Sequence, residues 1–318
     1  MSSTRKIKHW ITKRIFVLIF FFSFLSSFAQ NSKGIVAVTF KNQAMLNPDS
    51  LLTYLRVRQM DYLKVRFDLR RRIQSCHCAL EEAKAIEYGL ITSILDNLNK
   101  DSVKVILSVD GFPLDSTTKR NSKFDSDFWT NEDHLNAVAE YSKELFTTFE
   151  SFESVWAYEI ISEPVQRKAG QKTTRPSSWF DLFKQILNNL ELHSSKKILF
   201  SPGPWAWPTN YSDFHDSLII NNPRVIFTTH VFYPRKLAKS RKNKSPSDYW
   251  DIKELENYIL PFVNFLSDND VNGIIGGYGI SNFYDRQNEL EEDWQEVFDS
   301  NNLDVIRFNY NGAARWRF

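Results

Sequence analysis

The chain has 318 residues, 42% of them hydrophobic, with 40 Lys and Arg against 38 Asp and Glu. That apolar share and near-neutral balance exclude a disordered chain and argue against a dedicated nucleic-acid binder, which carries a strong basic excess. Two cysteines in a single Cys-x-Cys exclude a protein built on a disulfide framework.

At the start of the chain, Arg5, Lys6, Lys8, Lys13 and Arg14 precede an apolar run from Ile15 to Phe28, and Ser27-Phe28-Ala29 has the small-x-small spacing of a secretory cleavage site. Residues 1–29 are therefore expected to be a signal peptide and 30–318 a single exported domain, periplasmic or extracellular. The apolar run is shorter than the ~20 residues that span a bilayer, so no membrane span is expected in the mature chain. Removing the leader takes away five positive charges and no negative ones, which moves the balance from 40 against 38 to 35 against 38.

The mature chain alternates short apolar strands with longer helical patterns. In chain order the strand segments are GIVAVTF (34–40), YLKVRFDL (62–69), VKVILSVD (103–110), VWAYEIIS (155–162), KILFSPG (197–203), VIFTTHVF (225–232), GIIGGYG (273–279) and DVIRFNY (304–310). Between them, Leu135, Val138, Ser142, Leu145 and Phe149 fall at helical spacing, as do Trp179, Leu182 or Phe183, Ile186 or Leu187, and Leu190. Eight strands separated mostly by helices within roughly 290 residues predict an α/β fold of the (β/α)8 TIM-barrel class rather than an open doubly wound sheet. The sequence has neither GxGxxG nor P-loop spacing, and no cofactor is expected. Cys76 and Cys78 in "SCHC" close too short a loop for a useful disulfide, and with His77 they make a poor metal site, so neither a disulfide nor a metal is expected.

In such a barrel the chemistry sits where the strands end. The predicted ends gather Arg66, Asp110, Glu163, Trp205, His230 and the glycine turn at 276–279. Polar residues emerging from apolar strands are costly if buried alone and useful if they line a cleft; Arg66 and Asp110 read equally as an ion pair closing the barrel top.

These strand ends resemble glycoside hydrolase family 5, the cellulase-type barrels. The resemblance rests on "VWAYEIISEPV" at the fourth strand, "HVFYP" at the sixth, "GGYG" at the seventh and Arg66 within "VRFDL" at the second. It implies a cleft for an oligo- or polysaccharide, with Glu163 at the general acid/base position and His230 at the family's sixth-strand histidine. It also implies four departures: Ser162 where the family has Asn, Phe232 where it has Tyr, Gly277 where it has the nucleophilic Glu, and Phe308 near its platform Trp. Trp205 and Trp207 in "GPWAWP" are the first choices for stacking on sugar. Trp129, Trp179 and Trp250 lie on the same face, Trp179 at a helical spacing that suits the core.

Without a carboxylate at 277, double-displacement hydrolysis is in doubt. The alternative is an active O-glycosyl hydrolase that uses Glu163 with an unconventional partner, for which Asp110 and Asp285 are candidates, and Tyr233 and Tyr278 further ones. Alternation turns Tyr278 away from the lumen if Gly277 faces in. Glu159, two inward steps below Glu163, reads as a buried structural acid. Basic residues crowd the loops of this face: Arg70, Arg71 and Arg72; Lys119, Arg120 and Lys123; Arg167, Lys168, Lys172 and Arg175; and Arg235, Lys236, Lys239, Arg241, Lys242 and Lys244. They fit either an anionic glycan or ordinary solvated loops.

Overall fold

The computed structural model describes residues 33–38, 48–98, 102–112, 126–166, 172–232, 251–279 and 287–308; the expected leader at 1–29 lies outside them. Eight parallel strands follow in chain order: β1 (Lys33–Val38), β2 (Tyr62–Asp68), β3 (Lys104–Gly111), β4 (Val155–Ile160), β5 (Lys197–Phe200), β6 (Val225–Val231), β7 (Gly273–Tyr278) and β8 (Asp304–Phe308). Each pairs with the next and β8 pairs back onto β1, so the sheet closes as a (β/α)8 barrel. Strand β5 stops short of the predicted segment, because the chain leaves the ladder after Phe200 and turns at Gly203-Pro204.

Side-chain alternation divides the apolar residues into two cores. Leu63, Val65 and Phe67 of β2 face outward and are fully buried beneath the helices. Facing them, the helix Glu132–Phe149 buries Val138, Ser142, Leu145 and Phe149, and the helix Trp179–His193 buries Trp179, Leu182, Phe183, Ile186, Leu187 and Leu190, the stripes read from spacing. Inside the barrel every strand contributes one residue to a lower ring: Val36, Tyr62, Ile106, Ala157, Leu199, Ile226, Ile274 and Ile306. Trp156 packs against this ring from below. It is the extra residue of a β4 bulge, since Val105 pairs with Val155 and Ile106 already with Ala157.

The layer above that ring is polar. Lys64 and Glu159, each 1% exposed, form an ion pair of 2.7 Å. Ser108 donates to the same carboxylate, and Lys64 Nζ also donates to Gly276 O at 2.9 Å. Four strands are thereby tied together across the barrel axis, which satisfies charges that would be costly if buried alone.

The cysteines depart from expectation: Cys76 and Cys78 form a disulfide, with Cα atoms 5.1 Å apart. His77 between them is left-handed (φ 54°) where the helix Leu69–Cys76 ends, and this sharp reversal brings the two side chains together. The loop remains too short to restrain the unfolded chain much. Among the described residues no group of His, Cys, Asp and Glu is arranged to hold a metal, and no helix is long and apolar enough to cross a membrane.

Candidate functional site

At the end of β2, Asp68 caps the next helix by accepting from Arg71 N at 3.0 Å. Gly111 at the end of β3 makes room for it, since a Cβ there would lie 1.9 Å from Asp68 Oδ1. Two residues before Asp68, Arg66 is about nine-tenths buried and forms a close ion pair with Asp110, the residue before Gly111, as the ion-pair reading of these two residues has it. Burial works against the Arg66 charge, but Asp110, and after it Glu163 and Glu159, hold its pKa above the ordinary arginine value.

Strand β4 is followed by Ile161, whose φ of 65° is an uncommon conformation for a β-branched residue. Such local strain persists only where surrounding contacts enforce it, and it clusters at functional sites. Beyond this turn, Ser162 donates to Asp110 Oδ1 at 3.3 Å, and Glu163 Oε1 lies 2.8 Å from His230 Nδ1. The Glu163 side chain keeps 16% exposure while His230 keeps 2%, so the carboxyl reaches solvent and the imidazole backs it from within. The structure thus brings Arg66, Asp110, Ser162, Glu163 and His230 into one connected cluster at the strand ends.

The β5 loop carries a second strained turn, with Trp205 at φ 61° and Ala206 at φ 52°. Thr229 donates to Ala206 O at 2.7 Å and Asn210 to Pro204 O at 2.9 Å, which fastens this turn to β6 and to its own loop. Trp205 and Trp207 are half-buried. Phe232, also half-buried, follows β6 with its ring centroid 6.0 Å from that of His230 and nearly perpendicular to it.

Strand β7 contains a bulge that alternation alone does not reveal. Ile275 pairs with Thr229, Gly277 with His230 and Tyr278 with Val231, so Gly276 is the extra residue. A Cβ at Gly276 would lie 2.0 Å from Thr228 Oγ1, a close approach that only glycine permits. Two residues, instead of one, separate the outward Ile275 from Tyr278, and the bulge turns Tyr278 outward. There it is 2% exposed and packs against Phe298 and Trp294 at centroid distances of 5.4 and 6.5 Å. Tyr278 is a core residue of the helix layer, on the side to which alternation from an inward Gly277 turns it, which removes it from the ligand site and as a partner for Glu163.

Of the tryptophans, Trp179 lies in the core as its helical spacing suggests, whereas Trp129 departs from its placement on the ligand face. Trp129 and Trp179 are buried edge to face, 6.2 Å apart, and donate their indole N–H groups to Val165 O and Ser201 O. They brace the loops after β4 and β5 and offer no platform. Arg72 is buried against Glu87 at 2.7 Å, and Arg71 reaches Asp68 at 3.3 Å, while Lys172 and Arg175 are exposed. Phe308 closes β8 in register with Val36, but its side chain lies outside the described residues. So do Tyr233, Trp250, Asp285, Lys119, Arg120, Lys123, Arg167, Lys168 and the basic run 235–244. Sequence reasoning passed over Lys64 and Ser108; the signal was a lysine on the inward phase of β2, one step below Arg66 and across from Glu159.

A closed barrel whose strand ends join a histidine-backed carboxyl to an arginine–aspartate pair has the layout of a (β/α)8 protein that meets its ligand at the C-terminal face. Compared by sequence, the chain matches no protein-family model and no curated protein. Its fold is similar to that of Cel5A from Thermotoga maritima, solved with a mannotriose substrate, at a TM-score of 0.65 and 12% identity over 89% of this chain and 92% of that one. The cellulose synthase subunit Z from Clostridioides difficile has a TM-score of 0.64 at 9% identity, covering 89% and 93%. A family 5, subfamily 4 endoglucanase from Clostridium longisporum has 0.63 at 13% identity, covering 90% and 88%. The barrel thus resembles those of family 5 cellulases along nearly its whole length.

Proposed function

We propose that this chain is an exported carbohydrate-active barrel that binds an oligo- or polysaccharide across the ends of its strands, with Glu163 at the acid/base position and no protein nucleophile at position 277. The observation that carries this reading is the pairing of Gly277 with His230, whose ring holds Glu163 at 2.8 Å. The residue one before the end of β7 is therefore the direct neighbour of the acid's own support, and it has no side chain.

Retaining hydrolysis uses two carboxyl groups ~5–5.5 Å apart, one to protonate the leaving oxygen and one to attack the anomeric carbon. Glu163 suits the first task, since it is both backed by a buried imidazole and open to the cleft. For the second task, Asp110 is a poor substitute, because Arg66 and Ser162 already engage it. Arg66, Trp205, Trp207 and Phe232 then serve to hold sugar rings. The similarity to Cel5A, solved with mannotriose, supports the choice of a saccharide as ligand.

The test combines a glycan array with aryl-glycoside assays. The expected result is glycan binding without turnover, with partial revival by azide or formate acting as the external nucleophile. Robust turnover that disappears in Glu163→Gln would overturn the loss of the nucleophile, and failure to bind any glycan would overturn the saccharide reading.

A further inference from the structure

At the opposite end of the barrel from Glu163, the starts of β3, β4 and β5 frame a groove of about 420 Å³, within the size range of ligand pockets. Its walls include Lys104, Trp156, Lys196 and Lys197. Lys104 begins β3 and Lys197 begins β5, and neighbouring strands are ~4.8 Å apart, so the two lysines flank β4 on either side. Between them, the β4 bulge presents the half-buried indole of Trp156.

The three ammonium groups are held in place by rings and backbone carbonyls, with Tyr62 Oη standing between Lys104 and Asp304. Lys104 Nζ lies 5.1 Å from the Tyr62 ring centroid and 5.6 Å from that of Trp156, and 3.5 Å from Tyr62 Oη. Lys196 donates to Phe152 O at 3.0 Å and Lys197 to Pro223 O at 3.4 Å. Each ammonium has three donors, so each keeps at least one for a ligand. Four acids are close by, Asp304 and Asp61 beside Tyr62 and Glu153 and Glu150 nearer Lys196. Glu153 lines the groove, and Glu150 feels Lys196 but is occupied by Ser194 and Ser195. Three cations thus face a groove whose lining includes the carboxylate of Glu153, while Glu150 is engaged by Ser194 and Ser195, and Asp304, behind Lys104, accepts from Tyr62 Oη at 2.9 Å.

We infer that this groove is a second binding site, for a saccharide unit bearing a carboxylate or sulfate group: the lysines take the anion and the Trp156 indole takes the apolar face of the ring. Fixed cations lower the cost of ordering the site on binding, since their side chains are already restrained. The choice of a saccharide over other anions rests on the carbohydrate reading above, whereas the anion site itself does not.

The experiment measures lysine acetylation by mass spectrometry and affinity by calorimetry on the purified protein. The probes are oligogalacturonate, heparin-derived oligosaccharide, neutral cello-oligosaccharide and inorganic sulfate. The expected outcome is that an anionic oligosaccharide shields Lys104, Lys196 and Lys197 from acetylation, with affinity that falls as salt rises. The double variant Lys104→Ala/Lys197→Ala should lose at least about tenfold in that affinity, as charge-assisted contacts are removed, with its unfolding midpoint checked to show an intact fold. Glu163→Gln should leave the shielding unchanged, so a failure of the cleft reading and a failure of this one are told apart. Equal shielding of these lysines by the neutral oligosaccharide, no shielding at them, or shielding by sulfate alone as strong as by the sugars would each overturn the inference.

Discussion

The ion pair inside the barrel makes a quantitative prediction. Lys64 and Glu159 are 1% exposed and 2.7 Å apart, and Lys64 also donates to Gly276 O. Lys64→Met keeps the apolar stem and removes the charge, leaving Glu159 with Ser108 as its remaining donor in this network. Breaking a buried pair from one side costs ~3–5 kcal/mol, because the surviving charge loses its counterion, whereas replacing both partners with apolar groups is often close to neutral. Lys64→Met should therefore lower the unfolding midpoint by on the order of 10 °C, taking ~2–4 °C per kcal/mol for domains somewhat smaller than this one. Lys64→Met/Glu159→Leu should recover most of that loss, a coupling of at least ~2 kcal/mol. Urea unfolding with an unchanged slope is the assay, since the midpoint then reports stability alone. A single variant that costs less than ~1 kcal/mol, or a double variant as unstable as the sum of the singles, would falsify the claim that the pair neutralises an otherwise stranded charge.

Two further predictions concern local contacts. Partial burial works against the Glu150 carboxylate, but Ser194, then Ser195 through its hydroxyl and backbone N–H, hold its pKa below the ordinary value of 4.5. A carboxyl depressed in the folded state adds stability that is fully present above the unfolded pKa and is lost as pH falls through the folded one. The stability gap between the parent and Glu150→Gln, measured by urea unfolding, should thus be constant near neutral pH and shrink as pH drops below 4.5; a gap that stays constant into acid refutes it. Gly111→Ala should push Asp68 off its cap on Arg71 N, at a cost of ~1–2 kcal/mol. Adding it to Asp68→Ala should then cost almost nothing more, and full additivity in thermal unfolding would show that the crowding lies elsewhere.

The barrel was legible because two periods carry it. Strand segments of period two and helical stripes at three-four spacing need only the hydrophobic pattern, and the structure buries Val138, Leu145, Phe149 and Trp179 where that pattern puts them. Bulges were not legible. Alternation assumes one residue per step, but β4 spends an extra residue at Trp156 and β7 another at Gly276. The first bulge sets an aromatic ring in the barrel floor, and the second sends Tyr278 into the helix layer. The aromatic residues misled for a related reason: Trp129 follows a loop segment in sequence, but its bulk and single donor suit a buried brace with a backbone carbonyl to bind.

The cluster at the strand ends was legible in its members and not in its wiring. Arg66, Asp110, Glu163 and His230 stand at the ends of four different strands, and spacing along the chain says nothing about which of them pair. The structure resolves this into two units, Arg66 with Asp110 and His230 with Glu163, linked by the field of Glu163 on Arg66. That division bears on function. An aspartate bound to a buried guanidinium has its charge already answered, while a glutamate that shares one oxygen with an imidazole and keeps part of its surface exposed has the setting that the proposed acid needs. Of Asp110 and Glu163, Glu163 is the one whose setting fits the proposed acid, and the neighbour of its histidine on β7 is a glycine. On the proposed reading, bond cleavage would depend on a partner that β7 does not carry at position 277.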